Sequence, residues 1–303
     1  MILNKKKTAI RDSMGDKIFN LINYGVLILI AIVVLYPLYF VVIASITDPM
    51  VVNNGTLLLY PVKLYTKGFQ KIFQYKQLWS GYLNSLIYMV FGTTVNLFIT
   101  LPGAYALSRK DMAGRHLLLK IFAFTMFFSG GLIPSYLINS TLGLRDNIWA
   151  MIIPTGLSVW NMIIARTFFE SSLPEELLNA AHIDGCSDFR FFFQIALPLS
   201  KAMIAVITLY YAVGHWNGYF HALIYLNKES LYPLQLVLRN LLLVNQVTSS
   251  SMTADLMSMA DKIRIAEQLK YGIIVVASAP LLILYPFLQR YFTKGVLVGS
   301  LKG

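Results

Sequence analysis

A polar stretch at residues 170–198 interrupts a chain that is otherwise rich in long apolar runs. Acidic side chains are concentrated in its first half, at Glu170, Glu175, Glu176 and Asp184. Carboxylates in this setting can form ion pairs and hydrogen bonds with another protein surface. The sequence shows no catalytic carboxylate pair, metal-ligand cluster, nucleophile triad or Gly-x-x-x-x-Gly-Lys-Ser/Thr phosphate loop. We therefore expect binding chemistry here and do not expect an enzyme.

The polar stretch has the pattern of two short helices joined by a tight turn. We predict a capping box between Ser172 and Glu175, with Pro174 in the first turn of the helix. Gly185 is placed to end that helix in a left-handed conformation, and a second helix is expected over residues 187–198. Small and apolar positions recur three and four residues apart, which predicts one face formed by Leu177, Ala180, Ala181 and Asp184.

Two interpretations of this helix pair are open. It could be an amphipathic connector that lies on lipid, and its periodicity alone favours neither interpretation. Its polar face is acidic, however, and an acidic face is unfavourable against anionic lipid. The charge therefore favours a protein partner that receives the helix in a groove.

Composition places the rest of the chain in a membrane. Hydrophobic residues make up 57% of the 303 residues and charged residues only 13%, whereas soluble domains carry about 25% charged residues. A helix needs about 20 apolar residues to cross the hydrocarbon core. We predict an all-α membrane protein with six transmembrane helices and a cytoplasmic helix between spans four and five. The predicted spans are residues 18–46, 81–107, 118–138, 147–169, 199–226 and 269–289.

Proline and glycine should bend two of these spans. Pro37 is expected to kink the first span, and Gly130, Gly131 and Pro134 should break the third span near its outer end. No Pro/Gly/Ser-rich linker divides the spans. We therefore expect one transmembrane domain over residues 18–292.

Basic residues at the ends of the apolar segments set the predicted orientation. The N-tail, residues 1–17, and the short loop 109–115 are basic and adjoin spans, which places them in the cytoplasm. An even number of spans then puts the C-tail, residues 293–303, on the same side. The net charge of +11 follows this distribution, so membrane lipid is expected as a partner and nucleic acid is not. The first apolar run is too long for a signal peptide.

Several residues of the polar stretch resemble a known motif, the EAA loop of permease subunits in binding-protein-dependent ABC importers. Asn179 stands where that family has glutamate, which puts in doubt any salt bridge made by that side chain. Residues 174–177, 183–185 and 292–303 are similar to the carbohydrate branch, and residues 128–136 to permeases of the lipoprotein and uronate-oligosaccharide type. The motif residues with matching spacing are Ala180, Ala181, Gly185, Ile195, Leu197 and Pro198.

The resemblance implies a function and a set of partners in a bacterial cytoplasmic membrane. A second homologous permease would complete the pore, two ATPase subunits would bind the cytoplasmic loops, and an extracytoplasmic solute-binding protein would deliver the solute. ATP and Mg²⁺ would be held by the ATPase, and this chain would bind no cofactor. The C-tail is either a second ATPase contact or a frayed terminus. The residues implied in ATPase coupling are Glu175, Glu176, Asn179, Ala180, Ala181, Asp184, Gly185 and Pro198.

Polar and aromatic residues inside the predicted spans suggest a path for a carbohydrate. Membrane-embedded ionisable groups are rare and often functional, aromatic rings stack on sugar rings, and amides bond to hydroxyl groups. The alternatives are an interfacial aromatic belt and a histidine that bonds to a neighbouring helix. The candidates are Tyr211, His215, Trp216 and Asn217 in the fifth span, and Trp160 and Asn161 in the fourth.

Two other classes of protein would each need features that the sequence lacks. A self-contained secondary transporter would need buried acidic coupling residues, and the predicted spans contain essentially none. A membrane enzyme or assembly scaffold would need a polar catalytic cluster or a soluble domain. The importer permease is therefore the main prediction and the secondary transporter its alternative.

Overall fold

The structure is a computed structural model that describes residues 13–55, 59–250, 261 and 263–283. Within these residues the chain is almost entirely helical, and the only strand-like pairing is a single bridge between Thr47 and Leu64. The all-α prediction is confirmed. The C-tail and most of the N-tail lie outside the described residues, so the predictions made for them stay predictions.

Three helices are long and apolar enough to cross a membrane without interruption: α1 (Met14–Ile46), α4 (Lys76–Ser108) and α15 (Ile263–Ile283). Pro37 lies inside α1 and Pro102 inside α4. The helix α15 begins six residues before the predicted sixth span. The remaining uninterrupted short helices are α2 (Pro49–Asn53), α3 (Lys67–Gln74), α9 (Glu175–Ile183), α13 (Tyr219–Tyr225) and α14 (Leu234–Ser250).

Three further pairs of helices are apolar and long enough to cross a membrane but are bent at a short break, so the described residues contain up to six spans if each bent pair is one span. The bend is 113° between α5 and α6, 52° between α7 and α8, and 82° between α11 and α12. The bounds are α5 (Arg115–Phe127), α6 (Leu132–Thr141), α7 (Trp149–Ile152, followed by a 3₁₀ turn at Ile153–Thr155), α8 (Val159–Ser172), α10 (Asp188–Phe191), a π-helical turn (Phe192–Ala196), α11 (Leu197–Leu199) and α12 (Lys201–Trp216).

The bend between α5 and α6 is where the sequence predicted it, since Gly131 precedes α6 with a φ of 85°. The other two bends were not predicted. The fifth span also ends earlier than expected, because the chain turns at Asn217 and Gly218 into α13. A Cβ atom at Gly218 would lie 3.1 Å from the carbonyl oxygen of His215, so this turn has little room for a side chain.

Contacts divide the described chain into two units, residues 70–250 with 276–283 and residues 13–69 with 261–275. In the larger unit, α4 packs against α8, α12 and α14. Gly81 allows close approach, because a Cβ atom there would lie 3.2 Å from the Leu234 Cα atom. Ser85 accepts a hydrogen bond from the first backbone N–H of α14 at Leu234, at 2.8 Å. The helix α4 is therefore the central packing element of this unit.

In the smaller unit, the buried side chain of Gln268 joins three separate segments. Its amide nitrogen donates to the carbonyl oxygen of Ser45 at 2.8 Å and to that of Tyr65, and its amide oxygen accepts from the backbone N–H of Gly68 at 2.7 Å. Gln268 has no solvent exposure, so each of these backbone groups depends on one side chain for its partner.

We expect Gln268→Leu to destabilise the protein, since it leaves buried polar backbone groups without partners. Each unpaired group costs about 1–3 kcal/mol. The thermal transition of the purified protein in detergent should fall by several degrees relative to wild type. Gln70→Leu, at an exposed position, is the matched control. An unchanged transition for Gln268→Leu would contradict the assigned role.

Candidate functional site

The polar stretch forms a helix–turn–helix between α8 and α12, as predicted, but the start of its first helix differs from the prediction. Pro174 is the N-cap of α9 and provides no side-chain cap. Ser172 is the last residue of α8, and the Glu175 carboxylate bonds to Lys110 at 3.0 Å. The predicted capping box is therefore wrong, because Ser172 still belongs to α8 and the N-cap position of α9 falls two residues later, at Pro174.

The turn that follows α9 agrees with the prediction. Gly185 has a φ of 77°, the left-handed conformation that glycine adopts at low cost. Its N–H bonds to the His182 carbonyl at 3.0 Å, and the next N–H, at Cys186, bonds to Ala181 at 2.9 Å. Ser187 caps α10 by accepting from the Arg190 N–H. The turn is thus fixed by backbone hydrogen bonds on both sides.

The predicted coupling residues divide into a buried and an exposed group. Ala181 packs into the hydrophobic core with Phe169 and Phe191. Two apolar side chains that were not predicted, Ile183 and Phe189, lie on either side of the turn and are 87% and 79% exposed. The exposed predicted residues are Glu175, Glu176, Asn179, Ala180, Asp184, Gly185 and Pro198.

Part of the acidic character of this stretch is neutralised within the chain. Glu170 accepts an ion pair from Arg166 at 2.7 Å and lies 3.7 Å from Arg115, and Glu175 pairs with Lys110. Arg115 and Lys110 belong to the basic loop 109–115. From the sequence, this loop served only to predict the orientation of the chain in the membrane. Its contact with the acidic stretch was not predicted. Among the described residues, no ion pair involves Glu176 or Asp184.

Arg109 makes the most extensive polar contacts in this region. It is 16% exposed and binds both oxygens of Asp111, at 2.8 and 2.6 Å, and the carboxylate of Asp188, at 2.9 Å. His182 lies 3.2 Å from the same Asp188 oxygen. The hydrogen bonds from Arg109 lower the pKa of Asp111 below its ordinary value. The pair therefore stays ionised at neutral pH and weakens only as the pH falls through that lowered pKa.

A cavity of about 420 Å³ lies beside α9. Its walls include Arg109 and Lys110 from the basic loop, and Glu170, Asn179 and His182 from the acidic stretch. Both charge signs are present, so the cavity has the character of a polar cleft between two segments rather than a selective ion site.

A second cavity, of about 500 Å³, lies between the fourth and fifth spans. Of the predicted path residues, it is lined by Asn161, Tyr211, His215 and Asn217. The lining also contains Tyr210, Tyr219, Phe220 and His221, which were not predicted from the sequence. The aromatic residues that follow Gly218 were a signal for the last three. None of the lining residues is Asp, Glu, Lys or Arg.

The two predicted tryptophans do not line this cavity. Trp216 is 1% exposed and its indole N–H donates to the Ala277 carbonyl at 3.1 Å. Trp160 is 61% exposed and points away from the cavity wall. The helix period explains the difference, since neighbouring residues on a helix face directions about 100° apart. Asn161 therefore faces the cavity while Trp160 does not.

A helical protein with up to six apolar spans, a cavity beside two of them and an exposed short helix in one loop has the organisation expected of a membrane transport component. The family of binding-protein-dependent transport system inner membrane components matches residues 78–298, and the chain belongs to that family. The resemblance found in the EAA-type loop is confirmed, as is the location in the cytoplasmic membrane as a multi-pass protein.

The curated relatives include two proteins of Bacillus subtilis (strain 168). The polygalacturonan/rhamnogalacturonan transport system permease protein YtcP is 40% identical over 291 residues, which cover 96% of this chain and 100% of YtcP. The protein LplC is 37% identical over 295 residues, which cover 97% of this chain and 98% of LplC.

A solved structure is also similar. It is a bacterial ABC transporter involved in the import of the acidic polysaccharide alginate. One of its chains matches with a TM-score of 0.78 and 33% identity, over 94% of this chain and 100% of that chain. The similarity therefore extends over the whole membrane fold.

Arg109→Ala should loosen the turn between α9 and α10, because it removes the link to Asp188 from a largely buried cation. We expect faster hydrogen–deuterium exchange in residues 184–188 of the purified protein. Lys110→Ala is the control, since its pair with Glu175 is exposed on both sides and such pairs contribute about 0–1 kcal/mol. Equal exchange in both variants would show that Arg109 has no special role.

Proposed function

We propose that this chain is the permease subunit of an ATP-driven importer for a carbohydrate, and that it forms half of the path across the cytoplasmic membrane. A second homologous permease completes the path, and an extracytoplasmic binding protein delivers the solute. The observation that carries the proposal is the exposed helix α9 with its glycine turn, in a chain that belongs to an importer family. The sugar-transport names of the relatives support a carbohydrate as the solute.

Helix α9 is proposed to couple transport to ATP hydrolysis. Two separate ATPase subunits hold ATP and Mg²⁺, and each permease presents a coupling helix to one of them. Ile183 and Phe189 supply exposed apolar contacts, while Glu176 and Asp184 supply carboxylates that have no ion-pair partner in the described chain. Closure of the ATPase dimer moves the helix, and the spans change between outward and inward access as rigid bodies.

The replacement of the family glutamate by Asn179 fits this arrangement. Asn179 is exposed at the edge of the polar cleft, and no hydrogen bond to its side chain occurs among the described residues. Its identity therefore affects a partner surface more than the folding of α9. We expect the coupling helix to dock without the salt bridge that a glutamate could make.

The solute path is proposed to include the cavity between spans four and five. A volume of about 500 Å³ lies in the range of small-molecule sites, about 300–1,000 Å³. Tyrosine and phenylalanine rings offer stacking faces, and Asn161 and Asn217 offer amide groups for sugar hydroxyls. Because its lining has no permanently charged side chain, selection for an acidic oligosaccharide would rest on the binding protein or the partner permease.

The experiment that tests the proposed function is purification of the tagged full-length chain from its native membrane in mild detergent, with mass spectrometry of the proteins that accompany it. A homologous permease together with an ATPase would support the importer. A chain that purifies alone, under conditions in which other membrane complexes stay intact, would contradict it and favour a self-contained transporter.

Ile183→Asp should sharply reduce recovery of the ATPase with the purified chain, because it places a charge in the proposed apolar contact. Leu64→Asp, at another strongly exposed aliphatic side chain, is the matched control and should recover ATPase as wild type does. Quantitative mass spectrometry of the ATPase-to-permease ratio measures the effect. A wild-type ratio for Ile183→Asp would remove this side chain from the docking surface.

Tyr219→Ala and Asn217→Ala should slow the uptake of an oligogalacturonide, the kind of solute that the name of YtcP suggests, by about tenfold for the loss of roughly 1.4 kcal/mol of contact energy in the path. Trp160→Ala is the control, since Trp160 does not line the cavity. The effect is measured as the uptake of radiolabelled oligogalacturonide by cells that carry only the variant permease. If Trp160→Ala impaired uptake and both cavity variants did not, the path would lie elsewhere.

A further inference from the structure

The break in span four leaves backbone groups that the helices themselves do not satisfy. The 3₁₀ turn after α7 ends at Thr155 and α8 begins at Val159. Helix ends leave C=O and N–H groups without intrahelical partners, and in hydrocarbon such groups must be bonded by other parts of the protein. The partners in this structure come from α4 and α12.

Asn96 of α4 satisfies one side of the break. It is completely buried, and its amide nitrogen donates to the Thr155 carbonyl at 2.6 Å. That bond orients the amide, so its oxygen faces His215 Nε2 at 2.7 Å. His215 must then carry a proton on Nε2 and donate it. Asn96 thereby links the end of the 3₁₀ turn to α12.

Tyr211 and Thr100 satisfy the other side. The backbone N–H of Ser158 donates to the Tyr211 hydroxyl at 3.1 Å, and that hydroxyl lies 2.7 Å from the Thr100 hydroxyl. Thr100 is completely buried and Tyr211 is 6% exposed. The hydrogen bonds therefore run from the start of α8, through α12, to α4.

The spacing of these residues gives α4 and α12 one polar face each, and both faces lie against the break. Asn96 and Thr100 are four residues apart on α4, and Tyr211 and His215 are four residues apart on α12, so each pair shares a face. The His215 ring packs against Gly92, one further turn along α4. A Cβ atom at Gly92 would overlap that ring. The arrangement places one hydrogen-bonded pair on each side of the break.

The helix that leaves this break leads directly to α9. The 14 residues of α8 span about 21 Å at 1.5 Å per residue. Its first turn, with Ser158 and Asn161, borders the cavity. Its last turn holds Glu170, which pairs with Arg166 and Arg115, and α9 begins three residues after α8 ends.

We propose that Asn96 and Thr100 are positioning residues that hold the break in span four at a fixed bend, so that α8 transmits movement of α9 to the wall of the cavity. This inference rests on the proposed function for the role of α9. It adds that the hydrogen bonds from α4 make the two halves of span four move as one bent element.

Thr100→Val tests the proposal, because valine keeps the shape of threonine and removes its hydroxyl. Thr94→Val is the matched control on the same helix, since within the described residues the Thr94 hydroxyl bonds only to the Val90 carbonyl in its own helix. The complex that co-purifies with the tagged chain is placed in lipid nanodiscs. Hydrogen–deuterium exchange is followed in residues 156–161 and 173–187, with and without trapping by ATP, Mg²⁺ and vanadate.

In the wild type and in Thr94→Val, trapping should change exchange in both segments. In Thr100→Val, residues 156–161 should exchange about tenfold faster, as expected for the loss of one buried hydrogen bond. Residues 173–187 should still respond to trapping, while residues 156–161 no longer do. Asn96→Ala should act in the same way, by releasing the Thr155 carbonyl. A merely structural role would raise exchange along all of α4 and α12 instead.

Wild-type exchange at residues 156–161 in both Thr100→Val and Asn96→Ala would overturn the proposal, as would an unchanged response of that segment to trapping. Failure of the proposed function gives a different result: no ATPase co-purifies, or trapping leaves residues 173–187 of the wild type unchanged. Exchange in the nucleotide-free protein then still decides whether Asn96 and Thr100 hold the bend.

Discussion

The requirement that every backbone N–H and C=O group inside hydrocarbon has a partner shapes the larger unit of this protein. A straight helix meets it without help, but the spans that break need side chains from their neighbours. Asn96 and Tyr211 supply them for the fourth span. Polar residues of α4 and α12 thus bond to the broken backbone, and Thr155 and Ser158 at the break also line the cavity.

The loop that carries α9 is held by electrostatic contacts of a different kind. Arg109 is only slightly exposed and connects the short loop 109–115 to Asp188, at the start of α10. Lys110 and Arg115 in the same short loop pair with Glu175 and Glu170. Two loops that are far apart in sequence therefore behave as one surface. The exposed apolar side chains of Ile183 and Phe189 belong to the same stretch, so this surface combines ion pairs with apolar side chains open to solvent.

Much of the architecture could be predicted from local pattern. Apolar run length predicted the spans, Gly130 and Gly131 predicted the sharpest bend, and Gly185 with Ser187 predicted the turn after α9. These features depend on one residue's backbone preference or on a continuous run. The predicted capping box at Ser172 is wrong because Ser172 belongs to α8 and the N-cap position of α9 is Pro174. Residue type makes Trp160 and Trp216 candidates for the path, and neither lines the cavity between spans four and five.

The sequence by itself determined that the chain is a helical membrane protein, where its long apolar runs lie and where the turn after α9 falls, because hydrophobic length and turn residues act over a few positions. It also carried the family resemblance, since the motif spacing is local. Only the tertiary structure decided which polar side chains meet. The bonds of Asn96 with His215, Thr100 with Tyr211 and Arg109 with Asp188 join residues 79 to 119 positions apart. Such pairs depend on how helices rotate and pack against one another, which no periodicity within a single segment specifies.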